Sequence, residues 1–291
     1  MKILVTGATG FIGSHLVRRL ETEHEVYALV RKRPPHAQVS KAQWIEQNLS
    51  EPLDHSLLPQ QLDAVLHLAQ SKFYKDFPEQ AKDIYRINVQ STFEFLEYAR
   101  KAGVKRFIFT STGGLYGHSY EKFVETDPVN PLNFYFSSKY IAELLLGNYQ
   151  QFFHTTVFRL FFVYGTGQTP TMLIPRLVRS VLAGEPITLE GDEGLQINPI
   201  HVSDVITSFE RALSLEGHHL INLGGPQVLS LREIGHIIGK HLGREPQFTT
   251  FEDRKPGHLV SDINKMKALL GVPLVAFSEG VGEVCREALK P

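Results

Sequence analysis

The chain has 291 residues, 42% of them hydrophobic and 21% charged, with 30 Lys plus Arg against 31 Asp plus Glu for a formal net charge of -1. That length can bury the core of one large α/β domain or of a domain plus a lobe. The near-zero charge excludes nucleic-acid or membrane-surface binding through bulk electrostatics, so any charge-based recognition has to be local. A single cysteine, Cys285, excludes an internal disulfide and a Cys-based zinc site and is expected to pack in the last helix.

Residues 1–13 read MKILVTGATGFIG. Ile3, Leu4 and Val5 have the branching of a buried parallel strand, and Gly7, Gly10 and Gly13 follow at steps of three. Gly7 permits a tight turn, Gly10 lets backbone amides approach an anion, and Gly13 lets the next helix pack close to the strand. Phe11, Ile12, Leu16 and Leu20 give that helix an apolar side, and its N-terminus would hold a pyrophosphate. An ordinary strand-to-helix turn is the competing reading; a second strand over 25–30 weighs against it. With no secretory signal pattern and no apolar run of membrane-spanning length, the chain is expected to be cytoplasmic.

Arg31, Lys32 and Arg33 follow the second strand. An acidic side chain there accepts hydrogen bonds from ribose hydroxyls, whereas a basic one suits a 2′-phosphate, so NADP (NADPH) is favoured over NAD. A solvated loop tip is the alternative. A short third strand is expected over 42–47, a loop or short helix over 52–61, and a fourth strand over 63–69 running into Gln70, with His67 a buried structural histidine. Residues 79–102 form a helical pattern burying Ile84, Ile87, Phe95 and Leu96, and Gly103 ends it.

A fifth strand over 105–110 runs into Thr110, Ser111 and Thr112, hydroxyls at the strand end where open parallel sheets bind ligands. Such hydroxyls also cap the next turn, which is the competing reading for each. In a helix over 133–151, Tyr135 and Lys139 are spaced i, i+4 and share a face. The ammonium, with the positive nicotinamide, is expected to favour the phenolate and bring the tyrosine toward neutral pH.

The TGATGFIG turn, with GxxGxxG in place of GxGxxG, the strand-five hydroxyls and Tyr-x-x-x-Lys in this order resemble the extended short-chain dehydrogenase/reductase family, which includes nucleotide-sugar epimerases and dehydratases. VYGTGQ at 163–168, HVSD at 201–204, Asn222-Leu223-Gly224, a helix over 229–242 with Ser230 at its N-cap, 254–257 and Asp262 extend the resemblance over the whole chain. It implies an α/β fold: a Rossmann-type doubly wound parallel sheet over 1–165, with 198–224 returning to it, and a smaller C-terminal α/β substrate lobe over 166–197 and 225–291. It implies that Tyr135 exchanges the substrate hydroxyl proton, Lys139 binds the nicotinamide ribose, and Thr112 completes the hydrogen bonding, with Ser111 the alternative. Cofactor contacts carry over to Gly7, Thr9, Gly10, Phe11, Ile12, Gly13, Arg31 and Lys32, to Asn48 and Leu49 beside the adenine, and to Leu68, Ala69, Gln70, Asn88, Thr110 and Phe162. Substrate contacts carry over to Ser111, Thr112, Tyr116, Phe162, Arg176, Asn198 and Arg254; no metal is implied. The long helices imply a homodimer.

Four positions depart from the family pattern. Gly113 and Gly114 replace the Asp-Glu pair of the 4,6-dehydratases, which argues against dehydration. Phe162 and Ile197 stand where UDP-sugar relatives place asparagine and arginine on the diphosphate. Arg254, Lys255 or Arg176 can replace that charge, or Phe134, Phe161 and Phe162 can line an apolar pocket. The expected activity is hydride transfer at C4 of a nucleotide sugar, as an epimerase or ketoreductase. The alternatives are an NADPH-dependent reductase of a non-nucleotide carbonyl, or a dinucleotide-binding regulatory protein without turnover.

Overall fold

The computed structural model describes residues 1–253, 257–271 and 274–290. In chain order it forms β1 (Lys2–Thr6), α1 (Phe11–Leu20), β2 (Glu25–Val30), β3 (Gln43–Glu46), β4 (Ala64–His67), α2 (Ala81–Tyr85), α3 (Ser91–Lys101), β5 (Arg106–Thr112), α4 (Phe134–Gly147) and β6 (His154–Leu160). There follow β7 (Val163–Tyr164), α5 (Leu173–Ala183), β8 (Ile187–Glu190), β9 (Gln196–Ile197), β10 (Ile200–His201), α6 (Val202–Ala212) and β11 (His218–Leu223). The chain ends with β12 (Leu229–Ser230), α7 (Leu231–Leu242), β13 (Phe248–Phe251), α8 (Asn264–Leu270) and α9 (Phe277–Ala288).

Ile3 to Val5 and Ala64 to Leu66 are fully buried. Such unbroken apolar runs suit strands covered on both faces. They form the middle of a seven-stranded sheet ordered β11-β6-β5-β4-β1-β2-β3. β1 pairs in parallel with β2 and β4, β2 with β3, and β4 with β5. The order reverses between β1 and β4, so the crevice beyond their carboxyl ends is where this Rossmann-like fold places a ligand.

Two compact units divide the chain: Met1–Leu115, Val129–Arg159 and Ile206–Ile221 form the first, and Tyr116–Pro128, Leu160–Val205 and Asn222–Pro291 the second. The return to the first unit is thus shorter than the 198–224 read from the sequence, and 116–128 lies in the second. The core of the first unit includes Leu4, Val65, Phe95, Phe107 and Phe109; that of the second includes Ile174, Val178, Leu189, Ile238, Phe277 and Cys285.

The expected helix over 79–102 is interrupted. A π-helical segment, Arg86–Gln90, separates α2 from α3. The Ser91 and Thr92 hydroxyls bond back to the carbonyls of Ile87 and Asn88, at 2.5 and 2.8 Å. The apolar spacing is unaltered by the wider turn, so periodicity does not reveal it. π-Bulges recur at functional sites, and this one carries Asn88.

Candidate active site

At the β1–α1 turn, Gly7 has φ +67°, and a Cβ there would sit 2.9 Å from the Ala69 nitrogen. A Cβ on Gly13 would meet the Gly7 carbonyl oxygen at 2.2 Å. The Gly10 N–H donates to that same oxygen at 2.9 Å, and Gly10 caps α1 without a side-chain hydrogen bond. Helix α1 therefore begins with amides that no capping side chain satisfies, next to an exposed Thr9 and the half-buried Phe11 and Ile12. Unpaired amides at a helix start can receive an anion.

The neighbouring strand end is pinned by Thr6. Its hydroxyl oxygen accepts from the Leu68 and Ala69 N–H groups at 3.2 and 3.1 Å and pairs with His67 Nδ1 at 2.8 Å. His67 Nε2 meets the Thr92 hydroxyl at 3.0 Å. Burial, with a contribution from Lys139, pulls this imidazole down to about 3, so it is the neutral structural histidine that the sequence implied.

Arg31 and Lys32 are exposed at the end of β2, while Arg33 Nη2 donates to the Trp44 carbonyl at 2.8 Å. Asn48 is exposed, with its Oδ1 accepting from the Ser50 N–H at 3.2 Å. Leu49 is buried in the core, which leaves only its backbone for a ligand.

Helix α4 starts where the Asn133 side chain accepts from the Phe136 N–H at 2.9 Å, which puts Tyr135 and Lys139 in its first two turns. The Tyr135 hydroxyl donates to Gln70 Oε1 at 2.9 Å, and its ring lies 5.3 Å from that of Tyr74. Lys139 is 1% exposed, with Nζ 4.4 Å over the Phe109 ring. Burial pulls its ammonium down to about 7, against the opposing pull of Glu143, which itself pairs with Arg159 at 2.7 Å.

One expectation is corrected here. The phenol of Tyr135 is pushed up, by burial and by Tyr74, not down. Burial disfavours the charged phenolate, and the expected lowering rested on the ammonium together with the positive nicotinamide.

Asn88 links these parts. Its Oδ1 accepts from the Ser71 N–H and its Nδ2 donates to the Ser138 hydroxyl, both at 2.9 Å; that hydroxyl donates to the Tyr135 carbonyl at 2.7 Å. The π-segment thereby ties the exit of β4 to the turn carrying Tyr135. Across from it, the Thr112 hydroxyl oxygen accepts from the Gly114 N–H at 3.2 Å, which leaves its own proton to donate. Ser111 and Thr110 are at least nine-tenths buried, and neither hydroxyl has a hydrogen-bond partner among the described residues. A Cβ on Gly114 would lie 2.3 Å from the Phe136 ring.

In the second unit, two expected substrate contacts are otherwise engaged. Tyr116 is 3% exposed, stacks on Phe123 at 4.8 Å, and donates its hydroxyl to Asn222 Oδ1 at 2.9 Å. The buried Asn198 amide donates to the Ser261 carbonyl at 3.1 Å and accepts from the Ser261 N–H at 3.0 Å. The Tyr116 hydroxyl is thus bonded to another side chain, and the Asn198 amide to backbone 63 residues away. Phe162 is half-buried, with φ +46°, the one non-glycine in the left-handed region among the described residues. Arg176 is exposed on α5, and Arg254 and Lys255 lie outside the described residues. Sequence reasoning missed Tyr74 and Phe136; the aromatic run KFYKDFP at 72–78, leaving β4 beside the site, was the available signal.

A Rossmann-like sheet with an anion cradle and a Tyr-Lys pair at its carboxyl edge defines a dinucleotide-dependent class of protein. Residues 3–224 match the NAD dependent epimerase/dehydratase family, and the chain belongs to that family. It is 30% identical, over 97% of its length and 96% of the other's, to the uncharacterized UDP-glucose epimerase YtcB of Bacillus subtilis strain 168. It is 28% identical to a dTDP-4-dehydro-6-deoxy-D-allose reductase of Streptomyces bikiniensis, over 98% of this chain and 95% of that one. Among solved structures, the UDP-glucuronic acid 4-epimerase from Bacillus cereus, in complex with UDP-glucuronic acid and NAD, superposes with a TM-score of 0.88 at 28% identity, covering all of both chains. Among the described residues no His, Cys, Asp and Glu group could hold a metal ion, and no helix is long and apolar enough to cross a membrane.

Proposed function

We propose that this chain is an NAD(P)-dependent enzyme that transfers hydride at C4 of a nucleotide sugar, as an epimerase or 4-ketoreductase. What supports the reading is that Tyr135 and Lys139 in the first turns of α4, the Thr112 hydroxyl and the glycine turn all belong to one unit. The cradle fits a dinucleotide, because Gly7 and Gly13 let the turn close against the Ala69 and Gly7 backbone, and the first amides of α1 have no capping side chain to compete with a phosphate. When bound, the dinucleotide supplies or accepts the hydride. Tyr135 gives its Oη proton to the nascent alkoxide or takes it back from the carbinol, Thr112 donates to the same oxygen, and Lys139 stabilises the phenolate and holds the ribose.

Arg31 and Lys32 support a preference for NADPH, whereas the NAD in the Bacillus cereus epimerase supports NAD. Titration of the cofactor-stripped protein with both dinucleotides, repeated on Arg31→Ala, separates the two. Gly113 and Gly114 support hydride transfer without elimination, since the Phe136 ring fills the place of an acidic side chain at Gly114. Arg176 is our candidate for the diphosphate. A homodimer is favoured by the exposed Phe93 on α3 and the exposed Ile141 and Leu144 on α4. The compartment we favour is the cytoplasm, in keeping with the free thiol of Cys285.

The test incubates the protein with NAD and UDP-glucose, or with NADPH and a nucleotide 4-ketosugar, and follows the C4 epimer or the alcohol by proton NMR. Turnover that falls by about 10²- to 10⁴-fold in Tyr135→Phe is expected. Turnover that survives this substitution would remove the tyrosine from the chemistry.

A further inference from the structure

Gln70 leaves the end of β4 exposed, yet its carboxamide oxygen receives the Tyr135 hydroxyl at 2.9 Å. An amide oxygen accepts from a phenol but gains nothing from a phenolate, so this bond exists only while the tyrosine keeps its proton. From the geometry we propose that Gln70 is a positioning residue that aims the Tyr135 hydroxyl and holds its proton, so that the phenolate able to take a carbinol proton forms only at a higher pH than it would without this acceptor. This rests on the hydride-transfer reading above.

The surroundings agree. Tyr74 packs on Tyr135 from the segment that follows Gln70, and the phenol is pushed up by burial and by Tyr74. The cations of that segment, Lys72 and Lys75, lie over the Phe73 and Tyr74 rings at 4.6 and 5.4 Å. From α2, Asp83 is taken up by the Ser71 hydroxyl. From the π-segment, Arg86 is paired with Glu94 of α3 at 3.0 Å. At its carboxyl end β5 offers hydroxyls, and along α4 itself the nearest charge is the buried Lys139, whose ammonium is weakened. The neutral amide is thus the group that directly bonds the phenol. When Tyr135 protonates an alkoxide, the phenolic O–H bond breaks and the O–H bond of the product alcohol forms, and the loss of the Gln70 bond opposes that release. Gln70 then has no donor to accept from until the phenol is reprotonated.

The test needs no turnover. In cofactor-free protein labelled with ¹³C at tyrosine Cζ, the Tyr135 resonance is assigned by its loss in Tyr135→Phe. Gln70→Met keeps the length of the side chain and removes the acceptor; Gln70→Glu supplies a stronger one. At about pH 10, the ordinary phenol value, the phenolate fraction should rise roughly tenfold in Gln70→Met, the equivalent of about one unit, and should not rise in Gln70→Glu. With substrate, the pH profile of alcohol oxidation should move to lower pH in Gln70→Met. A phenolate fraction that is unchanged or lower in Gln70→Met overturns the assignment, because the amide would then be idle or would have turned its N–H toward the oxygen. If the enzyme turns over but the resonance does not respond, Gln70 loses this role and the hydride-transfer reading stands. If no turnover is found, the resonance still decides Gln70.

Discussion

His67 shows what a polar side chain in the sheet costs and gives. Held between the Thr6 and Thr92 hydroxyls at 2.8 and 3.0 Å, it stays neutral in the fold with its value pulled to about 3. An unfolded chain takes up that proton below about pH 6.5, so the stabilising contribution is complete above that value. It is lost as the pH falls toward 3, at about 1.4 kcal/mol per unit. Denaturant midpoints measured across this range should carry that slope in the wild type and lack it in His67→Gln; parallel slopes would show that the imidazole is charged in the fold. The burial of His67 was legible because it sits in a strand run, and the shared face of Tyr135 and Lys139 because they are spaced i, i+4. The roles of Tyr116 and Asn198 were not. Their partners, Asn222 and Ser261, lie 106 and 63 residues away, and only tertiary packing brings them together. The direction of the Tyr135 shift was equally hidden, because a sequence names the lysine but not how dry its surroundings are.

Among the elements, the β1–α1 turn has the least tolerance. Gly13→Ala would drive a methyl into the Gly7 carbonyl oxygen, so weakened dinucleotide binding and a loss of roughly 1–3 kcal/mol are expected by calorimetry. Unchanged values would mean that α1 can shift away from β1. Helix α7 provides a gentler test. Ser230 accepts from the Glu233 N–H at 3.1 Å while Glu233 accepts from the Ser230 N–H at 2.8 Å, a reciprocal cap that the sequence already suggested from Ser230. Ser230→Ala should cost about 1 kcal/mol in stability without altering dinucleotide affinity. A change in affinity with no loss of stability would point away from capping. The π-segment marks the limit of this kind of reading, since hydrophobic spacing is the same on both sides of an inserted residue.

For the whole molecule, the glycine turn and the succession of strands and helices made the doubly wound sheet legible, whereas the boundary of the two units was not. The stacking of Tyr116 on Phe123 and the hold of Asn198 on Ser261 keep 116–128 and 198–205 in the second unit. These are side-chain choices with no periodic signature. Assembly can be probed on the same scale: if α4 forms the seam between two copies, Leu144→Asp should halve the mass seen by light scattering, and a wild type that is already monomeric would rule that seam out.

Phe162 has a consequence for engineering. A bulky aromatic side chain held at φ +46° costs on the order of 1–3 kcal/mol, which glycine would recover in part and asparagine tolerates better. A selection for heat resistance alone should therefore enrich Phe162→Gly and Phe162→Asn early. If the aromatic ring at this position helps choose the substrate, those thermally hardened clones will be the ones that accept a broader range of sugars, and resilience and selectivity will be traded at a single codon.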